Sequence, residues 1–346
     1  MSLQAVKPDA PTAQRSVGPT RKGGLLNRAG AVLATLLLFV TPALLLPAAP
    51  AWAQVAVPSL VPGGILVQNP GYPIFAESGY TPLNPAAMQF GAPSRIGGGV
   101  MQGASNDTIW GGNGKNYTGV FGGARLVVQR IALAVENNSY SVQYPTATIS
   151  ESNESFAFSF SFPEWLAFGF GADNHTREVG VTKYDVMGTT FGVSLKSENF
   201  GAGMALGQET ARDGITKGAR DTTVTGVSWR EGGKVSWHLE YNIIAKGFFE
   251  DSAKVQVMTP DFFGHETHQA LAEVVVNQFL IGYRMVQSTA QPGVGDLSLN
   301  GYALDVGYMP FEGPTITGRY EFSERKLGST REAAEKLYSV QAGYQF

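Results

Sequence analysis

The sequence predicts an all-β protein: a transmembrane antiparallel β-barrel of about fourteen strands with an N-terminal plug, or hatch, segment. Three observations lead to this fold class. The last segment alternates apolar and polar side chains up to an aromatic residue, and the first segment has the pattern of a secretory signal. Between them, no apolar stretch is long enough for a membrane-spanning helix. A closed barrel is the other structure that satisfies every backbone polar group in hydrocarbon.

The C-terminal segment has apolar side chains at every second position, namely Tyr338, Val340, Ala342, Tyr344 and Phe346. Successive side chains of a strand point to opposite faces, so one face is apolar and the other is small or polar. Such a strand ending on an aromatic residue is typical of the signal by which bacterial outer-membrane barrels are inserted. We assign this role to Tyr338, Val340, Tyr344 and Phe346. A secreted all-β protein is the alternative interpretation.

Residues 1–53 have the organisation of a secretory signal peptide. Basic residues precede an apolar run from Ala29 to about Leu46, and Ala51-Trp52-Ala53 forms a small-x-small cleavage site. A transmembrane anchor is the alternative, because about 18 apolar residues nearly span a bilayer. Prolines within and after the run weaken such a helix. We expect cleavage after Ala53 and a mature protein in the bacterial outer membrane.

Composition argues against several kinds of partner. The chain has no cysteine, which rules out disulfides and thiolate metal sites. Its formal net charge is −3, and this becomes about −7 without residues 1–53, which contain five basic residues and one acid. Nucleic-acid binding requires a basic face, so we expect no nucleic-acid partner.

Residues 54–93 are irregular and yet apolar. Seven prolines interrupt any helix or sheet ladder there. Apolar residues are scattered between the prolines, whereas a disordered tail would be depleted in them. We expect the segment to fill the lumen as a plug, because a fourteen-stranded barrel is wide enough to enclose one. The alternative is an arm on the periplasmic underside of the barrel.

Turns set the strand count for the barrel, 94–346. Four short turns are evident, at 162–165, 197–200, 230–233 and 311–314. Four longer polar connections lie between strands, at 175–187, 213–221, 289–296 and 327–334. Barrels of this class have short periplasmic turns and long external loops. All short turns become periplasmic only if two further tight turns exist, near 128–130 and 276–278, which gives fourteen strands. Without them the count is twelve.

The predicted strands have one charged face and one apolar face. An Arg on the lipid-facing side near the midplane would cost about 2–4 kcal/mol, so we assign the charged face to the lumen. The predicted lumen-wall residues are His238, Glu240, Arg284, Asp305, Arg319 and Glu321. Small residues such as Gly169, Gly171 and Gly203 share this face, where they either leave room for a plug or relieve crowding. Aromatic residues are expected at the periplasmic rim.

Asn84-Pro85-Ala86 precedes a first strand that begins with Gly97-Gly98-Gly99. This arrangement is similar to the Asn-Pro-Ala region of FadL-type outer-membrane transporters. The resemblance implies an N-terminal hatch and a fourteen-stranded barrel that ends in Phe. It also implies transport of long-chain fatty acids or aromatic hydrocarbons. Asn84, Pro85 and Ala86 are the plug motif, and no ligand-binding residue is carried over.

No catalytic or metal site is evident in the sequence. His265-Glu266-Thr267-His268 lacks the H-E-x-x-H spacing of a zinc helix, and neither a phosphate-binding glycine loop nor a G-x-S-x-G elbow occurs. We therefore expect no enzyme activity, no cofactor and no metal. The expected partners are a hydrophobic small molecule, outer-membrane lipid and, during biogenesis, the barrel-assembly machinery. The barrel is expected to be a monomer.

Three functions are compatible with these patterns. The first is passive uptake of hydrophobic small molecules through a plugged barrel. The second is a porin-like diffusion pore for small polar solutes, with residues 54–93 outside the lumen. The third is a structural barrel without transport. Steady ion conductance would favour the pore, and binding of a fatty acid or an aromatic compound would favour the plugged barrel.

Deleting Phe346, or replacing it with Asp, is predicted to reduce assembly into the outer membrane sharply, because the apolar face of the last strand then loses its terminal aromatic residue. The fraction of heat-modifiable protein in membrane extracts measures assembly. Wild-type levels of folded protein for both variants would contradict the insertion-signal interpretation.

Overall fold

A computed structural model describes residues 80–90, 94–211, 218–232, 235–247, 265–290, 297–310 and 312–346. Within these ranges the chain forms long antiparallel strands and two short 3-10 helices. The predicted signal peptide, 1–53, lies outside the described residues. So do residues 54–79 and 91–93 of the predicted plug segment.

Fourteen long strands make up the barrel. In chain order they are β1 Arg95–Asp107, β2 Lys115–Val128, β3 Ile131–Gln143, β4 Thr148–Ser161, β5 Leu166–Val179, β6 Thr182–Lys196, β7 Phe200–Ala211, β8 Ala219–Glu231, β9 Val235–Lys246, β10 His265–Val276, β11 Phe279–Ala290, β12 Leu297–Tyr308, β13 Gly313–Leu327 and β14 Thr330–Gln345. A two-residue strand, Gly112–Asn113, also pairs with the end of β1. The 3-10 helices are Pro85–Phe90 and Thr108–Trp110.

Each long strand is antiparallel to the next, and β14 returns to pair with β1. That last pairing runs without interruption from Arg95 opposite Gln345 to Asp107 opposite Ala333. The sheet therefore closes on itself and leaves no free edge, as a structure in hydrocarbon requires. The predicted fourteen-stranded barrel is confirmed.

One end of the barrel, here named the lower end, contains only short connections. They have two to four residues each, at 129–130, 162–165, 197–199, 232–234, 277–278 and 309–312. The two turns that had to be inferred from parity are present: Gln129 has φ 51°, and Asn277 and Gln278 have φ 47° and 74°. Positive φ at both central residues, as at Asn277-Gln278, or at the first alone, as at Gln129, matches the twist of a two-residue hairpin. Both inferred turns are thereby confirmed.

At the opposite, upper end, two predicted long loops are wrong. Residues 175–187 continue β5 and β6 to a two-residue turn at Gly180-Val181. Residues 327–334 likewise continue β13 and β14 to a turn at Gly328-Ser329. The polar residues that suggested loops still pair their backbones, because ladder hydrogen bonds do not depend on side-chain polarity. Gly180 and Gly328 supply the positive φ, 60° and 59°, that these turns need.

The strands turn alternate side chains outward and into the lumen. On β9 the outward residues Val235, Trp237, Leu239 and Tyr241 are at least 40% exposed, whereas His238 between them is fully buried. Aromatic side chains lie at the lower rim, as predicted: Phe162, Trp165, Phe200, Trp229, Tyr308, Tyr344 and Phe346. An apolar band with an aromatic rim is the outer surface expected of a transmembrane barrel. No helix among the described residues is both long and apolar enough to cross a membrane.

The apolar band on the outer surface predicts that the free-energy cost of an outward charged side chain depends on its depth in the membrane. Leu304 is an outward residue near the middle of the apolar part of β12, and Ser298 is an outward residue near the upper end of the same strand. Leu304→Arg should cost about 2–4 kcal/mol of folding free energy in lipid vesicles, whereas Ser298→Arg should cost about 0–1 kcal/mol. Denaturant titration of vesicle-folded protein gives both values. Equal costs for the two variants would show that the band does not contact hydrocarbon.

Candidate functional site

The described part of the predicted plug, residues 80–90, lies inside the barrel. Tyr80, Ala86 and Met88 are at most 1% exposed, although the segment belongs to no strand. Its second half forms the 3-10 helix Pro85–Phe90, which packs against β4, β5 and β6. Pro85 suits the first helical position, because its missing N–H would have no partner there.

Asn84 both begins this helix and fixes it to the wall. Its Oδ1 accepts a hydrogen bond from the backbone N–H of Ala86 at 3.1 Å, and its carbonyl accepts one from Ala87 at 2.9 Å. The Nδ2 group donates to the carbonyl of Val193 at 3.2 Å and to Ser194 Oγ at 3.0 Å, both on β6. The carboxamide thus serves as a helix cap at one atom and as a wall anchor at the other.

Glycines in the wall make room for the Asn84–Ala86 motif. A Cβ added at Gly169, Gly192 or Gly203 would lie within 3.0 Å of the backbone of Pro85 and Ala86 or of the Asn84 side chain. These glycines are on the adjacent strands β5, β6 and β7 and share one luminal patch. Gly169 and Gly203 belong to the small residues that the sequence placed on this face. Because these wall positions lack a Cβ, Asn84–Ala86 packs directly against the strand backbone.

A second anchor holds the start of the segment to β2 and β3. Glu136 Oε2 accepts hydrogen bonds from the backbone N–H groups of Tyr80 and Thr81 at 3.0 Å each, and from Thr81 Oγ1 at 3.1 Å. Arg125 donates from Nε and Nη2 to the Tyr80 carbonyl at 2.9 and 2.6 Å. Hydrogen bonds to charged groups contribute about 1.5–3 kcal/mol each. Two buried charges therefore satisfy backbone groups that have no ladder partner.

The Tyr80 ring lies against wall glycines at the β14–β1–β2 seam. Added Cβ atoms at Gly97 and Gly123 would lie within 3.0 Å of its atoms. The Arg95 guanidinium stacks on the ring at 4.6 Å, and Gln341 Nε2 donates to the hydroxyl at 3.3 Å. Burial raises the pKa of the Tyr80 phenol, so the hydroxyl stays protonated.

The end of the segment is held in the same way. Gln89 Nε2 donates to the carbonyl of Ser159 at 2.9 Å, and Arg230 Nη1 donates to the carbonyl of Phe90 at 2.8 Å. Met88 packs on a wall of small side chains, Ala132, Ala134 and Ala157. The segment is therefore attached along its whole described length. Sequence reasoning missed Arg125, Glu136 and Arg230, although each is a charged residue at a luminal position of its strand.

Five of the six predicted lumen-wall residues belong to one row of paired side chains on the lumen side of β9 to β13. This row is here named the charge ladder. His238 lies 3.4 Å from Glu240, and Arg284 and Arg319 bind the two oxygens of Asp305 at 2.8 and 2.6 Å. Glu273 on β10 joins the two halves, since its carboxylate is 3.0 Å from His238 and 3.7 Å from Arg284. The sequence did not single out Glu273, although it is flanked by Ala and Val. Glu321, the sixth residue, is buried on β13, two residues from Arg319.

A cavity lies beside the 3-10 helix in the lower half of the lumen. Asn84, Ala87 and Phe90 line it on the segment side. The wall contributes small residues, Gly201, Gly203, Gly226 and Ser228, and four charged residues, Lys196, Glu198, Arg230 and Glu240. Residues 84–90 therefore leave a space beside them in the lower lumen, and a small displacement of Asn84–Phe90 would enlarge it.

The remaining predicted residues lie outside the lumen. Tyr338, Val340, Tyr344 and Phe346 project from the outer surface of the last strand and are 51–59% exposed; their part in insertion stays a prediction. His268 pairs with Glu266 at 3.1 Å on the outside of β10. Among the described residues no group of three or more His, Asp or Glu side chains is arranged to hold a metal ion.

Neither a family model nor a curated protein matches this sequence. Solved structures match it in three dimensions. The CymD monoaromatic hydrocarbon channel covers 76% of this chain and 91% of its own, with 9% identity and a TM-score of 0.52. The P. putida toluene transporter TodX covers 81% and 96%, with 10% identity and a TM-score of 0.51. The chain has the FadL-type barrel fold. That fold was implied by the Asn-Pro-Ala resemblance and is now confirmed, whereas functional roles must come from this chain's own geometry.

The glycine patch predicts a position-specific effect on the segment. Gly169→Ala should push against the Pro85–Ala86 backbone, whereas Gly171→Ala, two residues along the same face, would only touch the Pro85 ring at 3.8 Å. Overpacking costs about 1–3 kcal/mol. A single Cys at Met88, which is 0% exposed in a chain without cysteine, should therefore react with a thiol reagent about ten times faster in Gly169→Ala. Equal rates in the two variants would contradict the fit.

Proposed function

We propose that the protein is a channel in the bacterial outer membrane for passive uptake of hydrophobic small molecules such as aromatic hydrocarbons or fatty acids. The observation that carries this proposal is the segment Tyr80–Phe90, which lies in the lumen and is bonded to the wall at both ends. The fold supports it, since the structures with the same barrel are named as a monoaromatic hydrocarbon channel and a toluene transporter. Both are channels or transporters, which favours transport over catalysis.

A bonded luminal segment suits a solute that is sparingly soluble in water. The segment obstructs the water column that ions need, while the cavity beside Asn84 offers a path that opens by a small local displacement. Above it, the lumen has an apolar sector formed by β1 to β6 and β14 that includes Met101, Tyr117, Phe121, Tyr140 and Leu337. These side chains pack on one another and are at most 8% exposed, so an apolar solute gains about 25 cal/mol for each Å² that it buries only where it parts them. Ions and sugars gain nothing from that surface.

A polar diffusion pore is the second candidate, and one observation favours it. The charge ladder from His238 to Arg319 places charges along the opposite side of the lumen, where a polar solute would find hydrogen-bond partners. These charges are mutually paired, however, and all except Arg319 are buried, so they neutralise one another. We therefore place uptake of hydrophobic molecules first.

Several further roles belong to the same proposal. Residues 1–53 act as the signal peptide, and Tyr338 to Phe346 act as the signal read by the barrel-assembly machinery. With short connections and the C-terminal strand at the lower end, this end faces the periplasm. The barrel functions as a monomer in contact with outer-membrane lipid, without a cofactor and without nucleic acid.

Removing residues 55–92 should leave a barrel that folds, because its ladder closes without them. It should conduct ions far better than the intact protein in a planar bilayer. Asn84→Ala, which removes a cap and a wall anchor worth about 1–2 kcal/mol together, should raise the open population about 5- to 30-fold. Asn242→Ala is the matched control, because this buried luminal Asn donates to Glu240 instead of bonding the segment.

Binding of a fluorescent fatty acid or naphthalene derivative to the intact protein completes the test. Binding together with low basal conductance supports the proposal. Conductance that is equally high in the intact and deleted proteins, with no binding of the probe, would replace it with the polar pore.

A further inference from the structure

The outer surface of β14 and β1 to β5 carries a groove of about 950 Å³. The groove follows rows of register-paired residues that cross all six strands. Its upper row consists of Tyr338, Gln102, Thr118, Ser141, Ser150 and Glu178. The row below begins with three valines, Val340, Val100 and Val120, and continues with hydroxyl residues. The groove therefore has a polar upper side and, at one end, an apolar lower side.

The groove lies at the depth of lipid headgroups. A tilted strand crosses the hydrocarbon with about ten residues. Along β3 and β4 the outward residues are already polar at the register partners Asn137 and Glu154, seven and eight residues from the lower ends, so Ser141 and Ser150 lie above the apolar band. Hydroxyl groups facing hydrocarbon without partners would cost free energy. Ser150 Oγ donates to Ser141 Oγ at 3.1 Å, and the position of both groups at the upper interface leaves their remaining hydrogen-bonding capacity for headgroups.

Three cations lie beside the apolar end of the groove. Lys336 on β14 is the register partner of Phe322 on β13. The Arg331 guanidinium lies 5.8 Å from the Phe322 ring, and Arg331 Nε is 3.8 Å from Glu324 Oε2. Lys326 pairs with the same carboxylate. Two outward acids, Glu324 and Glu332, therefore face three cations, which leaves one excess positive charge at the upper rim.

Aromatic rings continue this surface below the cations. Tyr302 and Phe322 are 5.5 Å apart, and Tyr320 and Tyr338 are 5.2 Å apart, all on the outer face. Aromatic side chains favour the membrane interface, where one end of the ring is apolar and the other is hydrated. At the far end of the groove two outward acids, Glu178 and Asp185, outnumber one cation, Lys183, which is the register partner of Glu178. Of the described outward residues in the upper parts of β3, β4 and β5, none is cationic.

We propose that this groove binds the phosphorylated sugar headgroup of an outer-leaflet glycolipid. Arg331 and Lys336 hold the phosphate, because anionic lipid headgroups are recognised by clustered Lys and Arg side chains at the membrane surface. The hydroxyl row, including Thr118, Ser141 and Ser150, bonds the sugar. Val340, Val100 and Val120 lie below it, where the first part of the acyl chains descends. The polarity of the groove, cationic at one end and acidic at the other, sets the orientation of the headgroup.

The test uses the full mature chain folded in detergent and bisphosphorylated lipid A as the probe. The double variant Arg331→Gln with Lys336→Gln should bind lipid A about 10- to 30-fold more weakly than the unaltered protein. Dephosphorylated lipid A should bind the two proteins alike. Ser141→Trp, which fills the groove without changing charge, should also weaken binding of lipid A.

Arg130→Gln is the matched control at the opposite end of the barrel. The Arg130 and Arg331 side chains are both 52% exposed. Each stacks on a Phe, at 5.5 and 5.8 Å, and each pairs with a Glu, at 3.6 and 3.8 Å. Arg130→Gln should leave the affinity for lipid A unchanged.

Three outcomes would overturn the proposal. The first is unchanged affinity in the double variant, or an equal loss in Arg130→Gln. The second is full competition by inorganic phosphate at the concentration of lipid A, which would indicate a plain anion site. The third is a detergent-stable dimer that Ser141→Trp dissociates, since the groove would then receive a second copy of the chain. Ion conductance should be the same in all these variants, so the result is independent of the channel proposal.

Discussion

Thirteen residue pairs join β1 to β14, from Arg95 opposite Gln345 to Asp107 opposite Ala333. Without them both strands would present unpaired N–H and C=O groups to hydrocarbon, at several kcal/mol for each group. Closure therefore decides which sequences can serve as strands. It requires an even antiparallel count here, since β1 and β14 must also be antiparallel to each other. Closure also determines which of two successive residues in a strand points its side chain into the lumen.

The same constraint explains why the luminal segment is bonded so completely. Residues 80–84 have no ladder, so the wall must supply partners for their backbone groups. Glu136, Arg125 and the Asn84 carboxamide provide them, and they are buried together with the groups that they satisfy. Each bond would be weak in water, where solvent competes for the same groups. Within the lumen the segment and its wall stabilise each other.

Glycine weakens a strand by about 0.5–1 kcal/mol relative to alanine, and this wall contains it repeatedly. At Gly169, Gly192 and Gly203 the loss is offset by contact with Asn84–Ala86, and at Gly97 and Gly123 by contact with the Tyr80 ring. The outer surface has the opposite requirement, since large side chains such as Trp237, Ile281 and Phe279 cover the backbone there. The side chains of the wall are thus large on the face toward lipid and small where the wall contacts the segment.

The sequence by itself determined the features that depend on local chemistry and on period-two alternation. These include the fourteen strands, the inferred turns at Gln129 and Asn277-Gln278, and the aromatic rim. Alternation is readable because each strand contacts lipid on one face only. It failed at 175–187 and 327–334, because above the apolar band a paired strand and a polar loop have the same composition.

Only the tertiary structure decided which luminal groups meet. Glu136 lies 55 residues from Thr81 in the chain, and Asn84 lies 110 from Ser194. Glu273 joins His238 to Arg284 only because the β9–β10–β11 register places it between them. Such contacts follow from strand register and barrel curvature, which a one-dimensional pattern does not encode. The alternation in the sequence determines whether a side chain faces lipid or the lumen. The register of the closed sheet determines which other side chains it contacts.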